Sequence, residues 1–362
     1  MKLKLIASFL ISIVLSVASF ADVLTLKENH PETYTVVKGD TLWDISAHFL
    51  NSPWLWPRLW QANSQIENPH LIYPGDLLTL IWINGEPKIT RKQLKKLSPT
   101  PRLAEKVEAV PTIPLTAISA FLSKDHIINS DLTKTSPRLL GGTTETKRFF
   151  AGDVFYAQGQ YDKNKLYGIY RLEDDYIDPE TEEVLGAKLN FIGYSQVSKD
   201  NNYTSTDEVT PHDFLNSTQE ARQGDIILEI PEYETLPAFF LPQPVSASIE
   251  GSILDAITSV SVFGKGDVVV INKGSRENIQ IGSMFSVLQP GPEIFIDNDD
   301  NSVLYRDDAS RFDKMDDADV VLPAKRVGEI MVFKVYEKTS IALIMRSTNM
   351  MTTANKIQGL EF

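Results

Sequence analysis

Cysteine is absent from all 362 residues of the chain. This absence excludes disulfide bonds, thiolate nucleophiles, cysteine-ligated zinc and lipid attachment through a thiol. The folded state must therefore be stabilised by packing alone. With 42% hydrophobic and 23% charged residues, the composition is that of a folded globular protein, and the length allows two or three domains.

Histidine is scarce, and the five histidines form no metal-binding motif. They lack the HxH and HExxH spacings of zinc peptidases and amidases. The G-x-S-x-G nucleophile motif, phosphate-binding glycine loops and dinucleotide fingerprints are absent as well. The sequence therefore predicts no cofactor, no metal site and no enzymatic activity. One alternative stays open, because the 48 acidic residues offer many pairs of carboxylates for a peptidoglycan hydrolase.

The net charge of −13 and an isoelectric point near 4.9 are unfavourable for binding nucleic acid or anionic membrane surfaces. Nucleic acid is not a predicted partner.

Residues 1–21 have the pattern of a secretory signal peptide. Lys2 and Lys4 precede an apolar run from Leu5 to Val17, and Ser19-Phe20-Ala21 forms a small-residue cleavage site. The run is shorter than the roughly 20 residues of a membrane-spanning helix. We expect an exported, soluble protein that does not span a membrane and is periplasmic or associated with the cell wall.

All five tryptophans lie between Trp43 and Trp82, which indicates a separate domain over residues 33–83. Thr41 and Asp44 have the spacing of a capping box, and apolar residues then recur on one helical face. Pro57 suits the first turn of a second helix. A β-branched run precedes the first helix and a second run, Leu77 to Ile83, follows the second. The predicted order is βααβ.

Two motifs carry a family resemblance. YTVVKGDTLWDISAHF and NPHLIYPGDLLTL, within Tyr34–Leu80, resemble a LysM domain, although the Trp- and Pro-rich segment Asn51–Asn63 is longer than the usual pattern. The resemblance implies binding to N-acetylglucosamine polymers of peptidoglycan and chitin. The whole chain is similar to exported bacterial proteins that join a peptidoglycan-binding LysM domain to a β-rich tail.

The resemblance also implies a shallow glycan groove between two loops. The implied contacts are Gly39, Asp40, Thr41 and Leu42 in the first loop and Asn68, Pro69, His70, Leu71 and Ile72 in the second. A glycine turn allows backbone groups to approach an N-acetyl group, and apolar side chains can receive its methyl. The alternative is purely structural: Gly39 and Asp40 make only a turn and a cap, and Leu42 belongs to the core.

The rest of the chain divides into a basic, proline-containing linker (84–115) and two β-rich domains (116–245 and 246–362). The linker interpretation rests on seven Lys or Arg against three Glu between residues 86 and 108. The fold class is thus α+β, a small LysM domain followed by a mainly-β region.

Three short motifs recur in the β-rich part at spacings of 114 to 119 residues. They are G-D-V at 152 and 266, G-I-Y at 168 and G-S-M-F at 282, and Y-I-D with V-L at 176–185 and F-I-D with V-L at 295–304. This repeat predicts two related small β-barrels or sandwiches. Chance similarity between short strands is the alternative.

The second copy contains a sequence with partial resemblance to a calcium loop. Asp297, Asp299, Asn301 and Asp308 have suitable spacing, but Ser302 occupies the position that requires glycine. The counterpart in the first copy begins Asp178-Pro179, which is typical of a hairpin turn. We therefore favour an acidic turn over a metal site.

These observations predict a non-enzymatic cell-envelope protein. Its LysM domain would bind peptidoglycan or a related polymer, and its β tail would act as a scaffold or engage an envelope protein that the sequence does not identify. A hydrolase with a carboxylate-based catalytic domain is the alternative.

Overall fold

The computed structural model describes residues 24–60, 72–92, 112–113, 118, 126–200, 202–230, 240–257, 261–297, 302–305 and 320–362. The chain divides into two compact units, residues 1–113 and residues 114–361. Each unit has its own sheets. The predicted fold class is confirmed, with short helices in the first unit and mainly strands in the second.

The first unit is a three-stranded antiparallel sheet covered by short helices. Its elements are β1 (Thr33–Thr35), α1 (Leu42–Phe49), a 3₁₀ turn (Pro53–Leu55), α2 (Trp56–Trp60), β2 (Leu77–Ile83) and β3 (Glu86–Lys92). The strand order is β1-β2-β3. Four of the five tryptophans are buried between these elements, together with Leu42, Ile45 and Phe49. Large aromatic side chains thus supply the apolar area that a small domain without disulfides needs.

Strand β3 corrects the sequence prediction, because residues 86–92 were assigned to the linker. Ile89 is fully buried, and the ammonium of Lys88 donates to the carbonyl of Arg58 at 3.0 Å and pairs with Glu86 at 2.9 Å. The basic charge that indicated a solvated linker is therefore partly satisfied within the domain. The sequence analysis overlooked Asn84-Gly85, a pair that is typical of a two-residue hairpin turn.

The second unit contains a closed six-stranded barrel. It is built from β13 (Glu250–Ala256), β14 (Val268–Ile271), β15 (Met284–Gln289), β19 (Lys325–Val335), β20 (Ser340–Ser347) and β21 (Lys356–Gly359). The order around the barrel is β13-β14-β20-β19-β15-β21. The branched and aromatic side chains that alternate inward fill its core. A smaller antiparallel sheet, in the order β17-β16-β18, is inserted between β15 and β19; its strands are β16 (Glu293–Asp297), β17 (Ser302–Tyr305) and β18 (Val320–Val321).

The preceding β region has the same strand order. Its strands are β4 (His126–Ile128), β5 (Leu139–Gly141), β6 (Arg148–Phe149), β7 (Val154–Gln158), β8 (Tyr167–Ile177), β9 (Val184–Val197), β10 (Val209–Ser217), β11 (Ala221–Arg222) and β12 (Ile226–Glu229), with a short helix, α3, at Leu132–Thr135. The sheet runs β5-β7-β10-β9-β8-β12. Leu139 exchanges backbone hydrogen bonds with Gly224 and Asp225, so β5 also reaches the start of β12. We call the strands of residues 126–229 barrel 1 and the closed barrel of residues 250–359 barrel 2.

Matching turns support the predicted duplication. Before the second strand of each barrel, an aspartate closes the turn: Asp153 accepts from the N–H of Phe150, and Asp267 from the N–H of Gly264, both at 2.8 Å. The carbonyl of this aspartate then accepts from the strand that is third in the sheet order of its barrel. Asp153 accepts from the N–H of Phe214 in β10, and Asp267 accepts from the N–H of Ile344 in β20. Strand order and local hydrogen bonding therefore agree between the copies.

One of the sequence matches is wrong by four residues. The last residue of β12, Glu229, pairs with Tyr167, whereas the last residue of β21, Gly359, pairs with Phe285. Gly168 consequently corresponds to Ser286 and not to Gly282. A shift of four residues preserves the alternation of inward and outward side chains, so the sequence pattern does not distinguish the two alignments.

The β8–β9 hairpin of barrel 1 extends to barrel 2. The carboxylate of Glu183 pairs with Arg276 at 2.9 Å and with Lys338 at 2.8 Å, and Glu180 pairs with Lys356. These ion pairs are partly exposed, so solvent screens them and each adds little to stability.

Apolar contact underlies the ion pairs. Tyr176, Leu185 and Ile127 of barrel 1 lie in one buried cluster with Val270 of barrel 2. The two barrels are therefore joined by a packed interface as well as by charge.

At the tip of the same hairpin, the carboxylate of Asp178 accepts from the N–H groups of Glu180 and Thr181 and from the side-chain amide of Asn272 at 2.8 Å. Burial opposes the ionisation of Asp178, but these bonds together outweigh it, and the pKa of Asp178 is lowered. Its sequence counterpart is the calcium-like segment, of which Asp299, Asn301 and Asp308 lie outside the described residues. Within the described ranges, no three His, Asp or Glu side chains are grouped as metal ligands.

Candidate functional site

Two Gly-Asp turns lie side by side in the first unit. In residues 37–40, the carboxylate of Asp40 accepts from the N–H of Val37 at 2.8 Å. In residues 73–76, Asp76 accepts from the N–H of Tyr73 at 2.9 Å. Val36 joins the two turns through bonds to the N–H of Gly75 and the carbonyl of Asp76, at 2.8 and 2.9 Å. The structure thus brings the first predicted loop next to the turn that follows the second predicted loop.

The same turn recurs elsewhere in the chain. In five turns of the described part of the chain, a glycine with φ between +92° and +100° precedes an aspartate whose carboxylate accepts the N–H three residues earlier, at 2.7 to 2.9 Å. They contain Gly39-Asp40, Gly75-Asp76, Gly152-Asp153, Gly224-Asp225 and Gly266-Asp267. A positive φ favours glycine, and the aspartate closes the turn. Because three of the five lie in the barrels, Gly39 and Asp40 have a structural role that requires no ligand.

Thr41 and Leu42 are buried where helix α1 begins. The hydroxyl of Thr41 accepts from the N–H of Asp44 at 3.1 Å and donates to its carboxylate at 2.7 Å, which confirms the predicted cap. Leu42 is fully buried in the core. Any contact of these two residues with a glycan would therefore involve their backbone.

Two residues beside the first turn were missed by the sequence analysis. The phenol of Tyr34 donates to the carboxylate of Asp40 at 3.0 Å, and its ring stacks on His48 with centroids 4.6 Å apart. Burial, followed by the hydrogen bond to Asp40, raises the pKa of Tyr34 to about 12. The phenol therefore stays neutral and keeps its donor role at physiological pH. The six-residue separation of Tyr34 and Asp40 gave no recognisable pattern.

The second predicted loop is described only at its end. Asn68, Pro69, His70 and Leu71 lie outside the described residues, and their contact with a glycan stays a prediction. Ile72 is 0% exposed, so its side chain belongs to the core. A contact between that side chain and a sugar is not supported by this position.

Comparison with known proteins agrees with this geometry, since the LysM family model matches residues 34–80. The chain contains an N-terminal LysM domain. This assignment indicates N-acetylglucosamine glycans, as in peptidoglycan, as the ligand class. A curated relative is the uncharacterized protein YqbP of Bacillus subtilis (strain 168). It is 38% identical over an alignment of 60 residues, and the match covers 14% of this chain. The match covers 27% of YqbP, so it concerns about a quarter of that protein.

Among the described residues, no helix is both long enough and apolar enough to cross a bilayer.

The hydrolase alternative requires a carboxylic acid with a raised pKa facing a cavity. A cavity of about 720 Å³ lies between barrel 1 and barrel 2. Its acidic lining residues are Asp131, Asp175, Glu183 and Glu337. Hydrogen bonds from Arg276 and Lys338 lower the pKa of Glu183. Glu183 is therefore suited to holding the hairpin and unsuited to donating a proton.

A serine–histidine pair occurs inside barrel 1. The Oγ of Ser195 lies 3.2 Å from Nδ1 of His212, and both side chains are fully buried among Phe155, Tyr161 and Tyr167. A substrate has no access to this position in the folded barrel. Burial lowers the pKa of His212 to about 4, so the imidazole is neutral. The pair is a core element.

The neutral imidazole makes barrel 1 sensitive to acid. An unfolded histidine has a pKa near 6.5 and binds a proton below that pH, while the folded one does so only near pH 4. The contribution of His212 to the free energy of unfolding is complete above pH 6.5 and decreases as the pH falls towards 4. At pH 5 it is smaller by about 2 kcal/mol.

We expect the melting temperature of the second unit, followed by tyrosine near-UV circular dichroism, to fall by about 5 °C between pH 7 and pH 5 from this group alone. His212→Leu loses the Ser195 bond at every pH, and its melting temperature should depend less on pH. An equal pH dependence in both proteins would contradict the assignment.

Proposed function

We propose that this chain is a non-enzymatic cell-envelope protein that binds peptidoglycan, or a related N-acetylglucosamine polymer, through residues 34–80. The LysM match carries the proposal. The two hydrogen-bonded Gly-Asp turns support it, since the first lies in the first predicted loop and the second directly follows the second predicted loop. The protein is exported by residues 1–21 and resides in the periplasm or at the cell wall. Its two barrels form a scaffold that engages a further envelope protein.

The absence of catalysis belongs to the same proposal. It is supported by the sequence, which lacks cysteine, and by the burial of the Ser195–His212 pair and the ion pairing of Glu183.

Deletion of residues 22–113 tests the glycan-binding role. The deletion removes β3 together with the LysM motifs and leaves both barrels intact, which tyrosine near-UV circular dichroism would verify. We expect the full-length protein to pellet with purified peptidoglycan sacculi and the truncated protein to stay in the supernatant.

Equal pelleting of the two proteins would refute the assignment of binding to the first unit. The same sacculi, labelled with a covalent dye, test the hydrolase alternative. Release of soluble dye by the purified protein would show catalysis and overturn the non-enzymatic part of the proposal.

A further inference from the structure

Trp82 differs from every other tryptophan in the chain. Trp43, Trp54, Trp56 and Trp60 are at most 4% exposed, whereas Trp82 is 62% exposed. Core packing explains the four buried indoles. It does not explain why the largest apolar side chain occupies an exposed position on strand β2.

A well-defined hairpin holds Trp82 in place. Strands β2 and β3 are joined by Asn84-Gly85, with φ of +52° and +83°, as a two-residue type I′ turn requires. Trp82 lies directly opposite Pro87, which is buried. The indole is thus presented on a paired strand, so little backbone freedom is lost when a ligand binds to it.

The position of Trp82 is distinct from the predicted loops. It follows Asp76, at the joined turns, by six residues of extended chain, which corresponds to about 20 Å. It also lies two residues beyond the segment that matches the LysM family model.

The two charged residues that flank Pro87, the partner of Trp82 across the hairpin, offset each other. Glu86, next to the turn, pairs with Lys88 at 2.9 Å. A surface of this kind suits an uncharged ligand better than an anionic lipid or a phosphate. One face of a pyranose ring consists of C–H bonds, which pack against the electron-rich face of an indole.

We infer that Trp82 is a second glycan-contact residue, on which a sugar ring stacks at the opposite end of β2 from the Gly-Asp turns. The inference rests on the proposed function and extends it. A glycan long enough to reach both places gains affinity, because the second contact forms at high effective concentration once the first is made. A short oligomer bound at the turns gains nothing from Trp82.

Trp82→Ala in the full-length protein tests the inference, with Trp82→Phe as the conservative variant. Val303→Ala is the matched control, since Val303 is 64% exposed but lies in the second unit. We expect Trp82→Ala to bind sacculi roughly tenfold more weakly, the size of effect that removal of an aromatic anchor produces. Binding of the N-acetylglucosamine trimer, measured by calorimetry, should not change. Trp82→Phe should have an intermediate effect on sacculi and Val303→Ala none.

Iodide quenching gives a second measurement that does not depend on the stability of a variant. Iodide reaches the exposed Trp82 in preference to the four buried indoles. Long soluble chitin oligomers should therefore protect the fluorescence of the parent protein from iodide, and the trimer should not.

The outcomes separate the two proposals. If the parent protein bound neither sacculi nor the trimer, the proposed function would be refuted. Binding by the parent with unchanged sacculus affinity in Trp82→Ala, or equal losses for trimer and sacculi, would overturn the role of Trp82. Equal quenching with and without long oligomers would also overturn it.

Discussion

Replacing Ile72 by serine should unfold the LysM domain. Ile72 is 0% exposed, so the substitution removes most of a buried apolar side chain and leaves a hydroxyl in the core. Large-to-small changes of this kind cost about 2 to 5 kcal/mol, and an unpaired buried hydroxyl adds about 1 to 3 kcal/mol. A domain of this size has few kcal/mol of stability to lose. Pelleting with sacculi should disappear because the domain unfolds.

Tryptophan fluorescence measures this effect directly, since all five tryptophans lie in the first unit. The emission of Ile72→Ser should shift to longer wavelength at 25 °C, while the tyrosine dichroism of the barrels stays unchanged. Val37→Ser is the control for the emission measurement, because Val37 lies in the same unit with its side chain exposed. A folded Ile72→Ser protein with native emission and weaker glycan binding would instead make this side chain a direct contact.

Replacing Arg346 by methionine should strongly destabilise barrel 2. The carboxylate of Glu329 is fully buried, and it accepts two bonds of 2.7 Å from the guanidinium of Arg346. Arg326 supplies a further ion pair at 3.0 Å. Removal of one partner from a fully buried ion pair costs about 3 to 5 kcal/mol. The cost here should be lower, about 2 to 3 kcal/mol, because Arg346 is 39% exposed and Arg326 still pairs with Glu329. For a unit of this size the melting temperature should fall by about 5 to 10 °C.

A double variant provides the control. Glu329→Met combined with Arg346→Met removes the buried charge along with its partner, and we expect it to recover much of the lost stability. Both variants should be compared by tyrosine near-UV circular dichroism and calorimetry. A single variant that melts at the temperature of the parent would show that Arg326 alone is enough to satisfy the carboxylate of Glu329.

The sequence was sufficient for the features that depend on local chemistry. The paired motifs around Gly39 and Gly75 identified the LysM domain, Thr41 and Asp44 identified a helix start, and G-D-V identified equivalent turns in the two barrels. Each involves residues within a few positions of one another. Their geometry is set by backbone torsions and short hydrogen bonds, which residue type largely determines.

Features that depend on distant residues were not predictable. Strand β3 looked like a linker because the environment of Lys88 is created by Arg58 on another element. Tryptophan clustering indicated a core but gave no sign that Trp82 is exposed. The contact of Glu183 with Arg276 joins residues 93 positions apart, which no local pattern encodes. Such contacts depend on how elements far apart in the sequence pack against one another.

The hairpin that barrel 1 inserts against barrel 2 makes the two copies mutually dependent. Cutting the chain between residues 245 and 246 would expose Val270 on one fragment and Tyr176 and Leu185 on the other. Both fragments would then tend to aggregate. Dissection of this chain is therefore safer at residues 113 and 114. Loss of either half would leave the apolar surface of the other half exposed to solvent.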